Sequence, residues 1–366
     1  MRMKKIFQTL MVLVLLLNLS CDPFNNVIEN NSEEENAIYY TAKSIKSATP
    51  SGDTLKVVTW NIKFGGGRID FFFDCHGDRV LMTKDEVITN MDGVIENIKA
   101  MNPDVIFLQE ADINSKRAAF VDQIQMILDN TDLNYGVYGS QWKSDYVPSD
   151  GIGRMNSGNA ILSKYELFDA KRIPLSLIEE QAGIVQYFYL RRNLLEAKMK
   201  VSGYEFYLLG THTSAYATDG TKKKQLAEIK TETEKIAKAG KTFILGGDFN
   251  TIPPNSLKYN NYDDDVCSHE SGFAGEDFKE SIDDMKIFTE TYPQAITQAM
   301  YDADNSKYFS FTSDSQGFWN RKLDYIFTNG NFAAGSGMVH QDVSTGGVAT
   351  MPLSDHAPVS VKFLIK

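Results

Sequence analysis

The chain has 366 residues, 42% of them hydrophobic, and a formal net charge of -11. That length and apolar content exclude a wholly disordered protein and suffice for one large α/β domain or two smaller ones. The acidic balance excludes a broad electrostatic grip on nucleic acid or an anionic membrane, so a phosphate-bearing substrate must be captured by local groups or by metal.

The chain opens with the basic MRMKK, runs through an apolar stretch over 6–19 and reaches Ser20-Cys21. This is the layout of a secretory signal over residues 1–20, too short for a comfortable membrane span. Cys21, directly after the apolar run, is the expected lipidation site of a bacterial lipoprotein; Asn18 stands where such signals usually carry leucine, and an ordinary cleaved signal is the alternative. Residues 21–51 are rich in Asn, Glu and Ser and read as a flexible tether. The expectation is an exported, anchored monomer facing the periplasm or the cell surface, touching the membrane only through its lipid. Cys75 and Cys267 are the other cysteines, equally compatible with one disulfide or two buried thiols.

Short apolar runs then alternate with helical stretches. Strands are predicted over 55–62, 104–109, 135–141 and 160–163, with helices over 84–101 and 115–128. In the first helix Val87, Ile88, Met91, Val94, Ile95 and Ile98 recur at helical spacing. Strands over 187–199 and 204–212 meet at a Ser202-Gly203 turn and are followed by a polar helix over 222–239. An acidic excursion over 255–307 carries one helical segment near 283–300, and strands over 308–312, 322–328 and 359–365 close the chain. No repeat and no clean linker interrupts residues 52–366, which read as one domain. Strand pairs interrupted by helices favour an α/β sandwich over a purely parallel doubly wound sheet.

The stretch KTFILGGDFNTIPP at 241–254 carries the most chemical information. Alternation puts Asp248 and Asn250 on one face of an extended chain and Phe249 on the other. Gly246-Gly247 permits close backbone approach, and Pro253-Pro254 stops the strand. Other apolar runs deliver polar groups in the same way: Asn61, Glu110 and His212 at strand ends, Asp324 within a strand, and Asp355-His356 just before the last one. Each alone reads as a loop or capping residue. Together they offer a hard-metal ligand, amides that can orient phosphate and water, and two pairings of Asp with His.

TWNIKF at 59–64, PDVIFLQEAD at 103–112, GNAILSK at 158–164, GTHTSA at 210–215, LGGDFN at 245–250, KLDYIF at 322–327 and SDHAPV at 354–359 occur in one order across most of residues 55–366. In these motifs the chain resembles the endonuclease/exonuclease/phosphatase superfamily, which contains deoxyribonuclease I, exonuclease III and the inositol polyphosphate 5-phosphatases. The resemblance implies a four-layer α/β sandwich of two mixed β-sheets flanked by helices, with the site at one end between the sheets. It implies that Glu110 holds a divalent cation, Mg2+ or Mn2+, with Asn61 and Asp355 sharing the ion or its waters. Asp248 would deprotonate the attacking water and Asn250 orient water or phosphate. His356, oriented by Asp324, and His212 would donate to the phosphate, which Asn61 would also contact.

The implied function is metal-dependent hydrolysis of a phosphoester without a covalent intermediate, foremost as a phosphodiesterase or nuclease. A phosphomonoesterase or lipid-headgroup phosphodiesterase of the same fold is the alternative, the PAWCDR-like signature of inositol 5-phosphatases being absent. A surface lipoprotein that binds without catalysis is the alternative from another class. The substrate would be a nucleic acid, a phosphosugar or a phospholipid headgroup. Arg191-Arg192 offers a phosphate clamp through Arg192. The three phenylalanines of the 65–78 loop are expected to fold inward, whereas 141–156, with Trp142, Lys143, Tyr146 and Arg154, is the better substrate loop.

Overall fold

A computed structural model describes residues 33–366 except 51, 76, 182, 216–218, 266, 268–274 and 315–316. The signal and Cys21 lie outside the described residues, among which no helix is long and apolar enough to cross a membrane. One sheet has six strands in the order β1 (Glu35–Asn36), β7 (Leu167–Pro174), β8 (Asn193–Val201), β9 (Tyr204–His212), β10 (Thr242–Asp248) and β11 (Asp324–Thr328). The other has the order β12 (Asn331–Phe332), β14 (Val359–Leu364), β3 (Thr54–Asn61), β4 (Val105–Asp112), β6 (Gly153–Ser163), β5 (Tyr135–Val147) and β2 (Ile38–Thr41), with β13 (Met338–Val339) beside β14. Both are mixed: β9 with β10 and β3 with β4 run parallel, and the remaining pairs are antiparallel.

Strand alternation builds the layers. Val57, Phe107 and Ile161 of one sheet meet Leu195, Leu208 and Ile244 of the other in the central core. Their neighbours Val58, Ile106 and Leu162 point outward, under α1 (Lys84–Met101) and α2 (Gln123–Asn130). On the opposite flank Leu209, Phe243 and Leu245 are covered by α4 (Thr221–Lys238) and α5 (Lys286–Thr289); α3 (Gly183–Phe188) and α6 (Gln298–Ala303) lie in the connections. This is the four-layer sandwich. Helix α1 spans the predicted residues because its ends are specified. Thr83 and Glu86 form a reciprocal capping box, and Asn102 terminates the helix in a left-handed conformation.

Several local expectations change. The later part of the presumed tether, from residue 33, supplies β1, which is polar, and β2, whose Ile38, Tyr39, Tyr40 and Thr41 are β-formers. The helix over 115–128 starts only at Gln123, capped by Asp122, because Ala119 and Phe120 hold positive φ angles of 50° and 59°. Strand β7 was not expected; a register shift between Phe168 and Lys171 breaks its alternation. The strand predicted from 187 begins at Asn193, α3 taking the preceding aromatic residues. Around 308–312 only isolated bridges from Phe311 form, and the helical segment near 283–300 divides into α5 and α6.

Candidate active site

Three neighbouring strands of the six-stranded sheet set the first half of the site. In their register Asp248 of β10 lies opposite His212 on one side and Asp324 on the other, so three polar groups stand abreast at one end of the sheet. The two glycines before Asp248 make this packing possible. A Cβ on Gly247 would come 2.2 Å from the carbonyl oxygen of Thr211, and one on Gly246 would come 2.5 Å from the Phe107 ring. Phe249 turns away as alternation requires, fully buried against Phe288, Tyr325 and Phe327.

The second half comes from the facing sheet. Asn61 ends β3, and Glu110 sits in β4 where the pairing with β6 shifts between Leu108 and Ala111. Glu110 has φ +56°, so a bulge and a left-handed backbone turn its carboxylate into the site. The loop before β14 brings Asp355 and His356. It is fastened to β3 by Ser354 Oγ donating to the Asn61 carbonyl at 2.7 Å and Trp60 Nε1 donating to the His356 carbonyl at 2.9 Å.

Asp248 Oδ2 is the hub. Asn61 Nδ2 donates to it at 3.2 Å, His212 Nε2 lies at 3.3 Å and His356 Nε2 at 3.5 Å, while Asp248 Oδ1 accepts the Asn250 amide at 2.9 Å. Burial pushes the Asp248 pKa up to about 7, against the opposing pull of His356. Burial alone would lower His356, but Asp324, whose Oδ2 is 2.9 Å from Nδ1, and then Asp248 lift it to about 10. His212 is driven well below its ordinary value by burial and by the Arg192 and His356 charges. The site thus holds an imidazolium at His356 and a neutral imidazole at His212, on either side of one carboxylate.

The predicted residues converge, with different placements in detail. Glu110, Arg192, His212, Asp248, Asn250, Asp355 and His356 line one cleft of about 930 Å³. Asp324 and Asn61 sit behind its wall. Asn61 was expected to touch ion or phosphate, yet its Nδ2 is engaged by Glu110 and Asp248 and its Oδ1 accepts the Lys63 amide, so it braces two carboxylates. Asn250 Nδ2 is likewise used on the Thr213 carbonyl. Arg192 lines the cleft, with NH1 on Gln141 Oε1 at 2.9 Å. Gln141 and Trp142 of the expected substrate loop reach the wall; that loop is the β5–β6 hairpin, and Arg154 pairs instead with Asp145. Of the three phenylalanines, Phe71 is buried as expected while Phe72 and Phe73 line the cleft.

Other residues complete the site without having stood out in the sequence. Ser310 Oγ donates to Asp324 Oδ2 at 2.7 Å and receives the Leu323 and Asp324 amides, locking the carboxylate that orients His356. Lys63 sits 3.0 Å from Asp74 and 3.8 Å from Asp355. Its place two residues after Asn61 was the available signal. Cys75 and Cys267 are joined in a disulfide with Cα atoms 5.7 Å apart.

Two donor sets suit a cation. Asp248, Asp324 and His356 offer ligand atoms within 4.8 Å of one another, but there an ion would have to displace the His356–Asp324 hydrogen bond. Glu110 and Asp355 fit a hard ion better. The Glu110 carboxyl is pushed up by burial and then by Asp355, a like-charge strain that a cation relieves, and the adjacent His212 Nδ1, 4.0 Å from Glu110 Oε1, is buried with no hydrogen-bond partner among the described residues.

The two-sheet sandwich with a carboxylate–imidazole cluster at the end of its strands is the arrangement expected from the sequence motifs. Residues 58–356 match the Endonuclease/Exonuclease/phosphatase family, and the chain belongs to it. Solved structures with similar folds include the endonuclease/exonuclease/phosphatase from Beutenbergia cavernae DSM 12333, 16% identical, covering 85% of this chain and 72% of that one at a TM-score of 0.57. The family protein from Leptotrichia buccalis C-1013-b is 16% identical, with coverage of 84% and 99% at a TM-score of 0.52. The human nocturnin catalytic domain with bound sulfate is 14% identical, with coverage of 89% and 97% at a TM-score of 0.50. No curated protein matches the sequence at a significant level.

Proposed function

We propose that the protein is a divalent-metal-dependent phosphoester hydrolase, foremost a phosphodiesterase, in which water attacks phosphorus directly. The observation that carries this reading is Asp248: a buried carboxylate with a pKa of about 7, met by Asn61, His212 and His356 within 3.5 Å. A carboxylate poised near neutrality suits a general base. Asp248 accepts the proton of the attacking water, held in place by the Asn250 amide. His356, kept charged by Asp324, donates to a non-bridging phosphate oxygen, and Arg192 adds a fixed positive charge on the opposite wall. Mg2+ or Mn2+ would be held by Glu110 and Asp355 and would neutralise charge on the phosphate. We further take the protein to be exported and lipidated at Cys21, which loss of a metabolic lipid label in Cys21→Ser would test.

The function is tested by metal-dependent release of p-nitrophenol from bis-(p-nitrophenyl) phosphate, with wild type and Asp248→Asn side by side. Wild-type activity no higher than that of Asp248→Asn on this ester and on nucleic acids, phosphosugars and phospholipids would defeat the hydrolase reading.

A further inference from the structure

The 65–78 loop holds two large apolar side chains where hydrophobic burial would not put them. Phe72 is 36% exposed and Phe73 46% exposed, and both line the cleft that contains Asp248 and His356. They belong to a ring cluster rooted in the core. Buried Phe64 and Phe71 meet edge-to-face at 4.9 Å, Phe73 stacks on Phe71 at 5.7 Å, and Phe72 meets Phe73 at 5.2 Å.

The loop is also fastened beside these rings. Asp74 Oδ2 accepts the Phe71 amide and the Lys63 ammonium, both at 3.0 Å, and the Phe71 carbonyl accepts the Asp74 amide at 2.7 Å. The next residue, Cys75, is covalently joined to Cys267 across 192 residues of sequence. That bridge ties a loop following β3 of one sheet to a loop following β10 of the other, and both cysteines line the cleft. A free loop would fold its rings inward to escape water. This one is held open.

Charge limits what can lie against the rings. Among the described residues the cleft wall carries ten carboxylates against four Lys or Arg side chains. Lys63, Arg117 and Arg321 are each paired to carboxylates, leaving Arg192 as the basic side chain of the four with no carboxylate at ion-pair distance among the described residues. Such a wall accepts one phosphate at the Arg192–His356 end and repels a run of them. The group beside that phosphate is therefore not a further anion, and a flat ring can lie on the phenyl faces.

We propose that Phe72 and Phe73, held in the cleft by the Cys75–Cys267 bridge, form a stacking subsite for a planar unsaturated ring, so that the preferred substrate is a small nucleotide-type ester and not a polynucleotide. The inference names the substrate class of the site proposed above and rests on that reading.

The test compares two esters with one leaving group: thymidine 5′-(p-nitrophenyl phosphate), which carries a base ring in addition to the nitrophenyl group, and methyl p-nitrophenyl phosphate, in which the nitrophenyl leaving group is the sole ring. The readout is the ratio of their kcat/KM values on one preparation, so loss of folded protein cancels. Stacking on an aromatic side chain makes a preference of about tenfold or more for the thymidine ester the expected wild-type result. Phe72→Ala/Phe73→Ala and, separately, Cys75→Ser/Cys267→Ser should each bring the ratio close to one, chiefly by raising KM for the thymidine ester. A wild-type ratio near one, a preference that survives the phenylalanine substitutions, or nicking of circular DNA as fast as cleavage of the thymidine ester would overturn the proposal. A preference that survives only the cysteine substitutions would remove the bridge from it. Calorimetric binding of thymidine 5′-monophosphate separates the two levels. Binding that depends on Phe72 and Phe73 in a protein inert towards every ester would sink the hydrolase reading and leave the subsite standing, while failure to bind would sink the subsite.

Discussion

Replacing Asp324 by Asn removes one charge and almost no volume from behind His356, and its effect follows from the geometry. Asp324 is fully buried, its Oδ2 lies 2.9 Å from His356 Nδ1, and it is the largest of the influences raising the His356 pKa from 6.5 to about 10. That rise is a net one: burial lowers the pKa, and the charges of Asp324, Asp248 and Asp355 together more than offset it. Without the Asp324 charge, burial should carry His356 back towards or below its ordinary value, leaving a neutral ring at pH 8. If the imidazolium is the phosphate donor, kcat/KM at pH 8 should then fall by about 10²- to 10⁴-fold. The assay is kcat/KM for bis-(p-nitrophenyl) phosphate from pH 5 to 10. Wild type should gain activity as Asp248 ionises near pH 7 and lose it as His356 deprotonates near pH 10, whereas in Asp324→Asn the alkaline limb should move to the acid side of neutrality. An unchanged alkaline limb would show that the charge on His356 is not what Asp324 provides.

Glu110→Gln keeps the shape of a proposed metal ligand but not its charge, and should raise the Mg2+ or Mn2+ concentration for half-maximal activity by at least about tenfold, read from metal titrations. Gly247→Ala should push β10 from β9, because its Cβ would meet the Thr211 carbonyl at 2.2 Å; about 1–3 kcal/mol lost in urea unfolding, together with reduced activity, is expected. Far from the site, burial and then Lys56 lower the His340 pKa to about 4. The unfolded chain therefore binds that proton first, so stability is intact above about pH 6.5 and declines by up to about 3 kcal/mol as pH falls to 4. Urea midpoints measured across this range should fall less steeply in His340→Gln than in wild type.

The central strands and the first long helix were legible because their signals are local and mutually consistent. In α1 the apolar spacing, Thr83 and Asn102 all specify the same ends. Asp248, His212 and Asp324 could be picked out because each closes or opens an apolar run, though only the register of β9, β10 and β11 puts them abreast. What escaped depends on backbone departures or on distant partners. The Glu110 carboxylate is aimed by a bulge that leaves no mark on sequence periodicity, and the same device hid β7. Ser310 lies 14 residues from the aspartate it locks, in a stretch that forms no regular strand. For Phe72 and Phe73, hydrophobicity argued for the interior, and the constraint that holds them out runs through a cysteine 192 residues beyond their own loop.

The two short strands at the start of the described chain bear on how the protein can be cut. Strand β1 pairs with β7 at one edge of the six-stranded sheet, and β2 pairs with β5 at one edge of the eight-stranded sheet, with Ala37 alone between them. Seven residues thus cap an edge of each sheet and stitch the two layers together along one flank. A protein shortened to residues 52–366, the boundary that composition suggests, would keep every proposed catalytic group and yet bare two rows of unpaired backbone donors and acceptors. Such edges invite pairing between molecules. Its failing would be aggregation with the active site intact, and cutting before residue 33 instead would keep the seam closed.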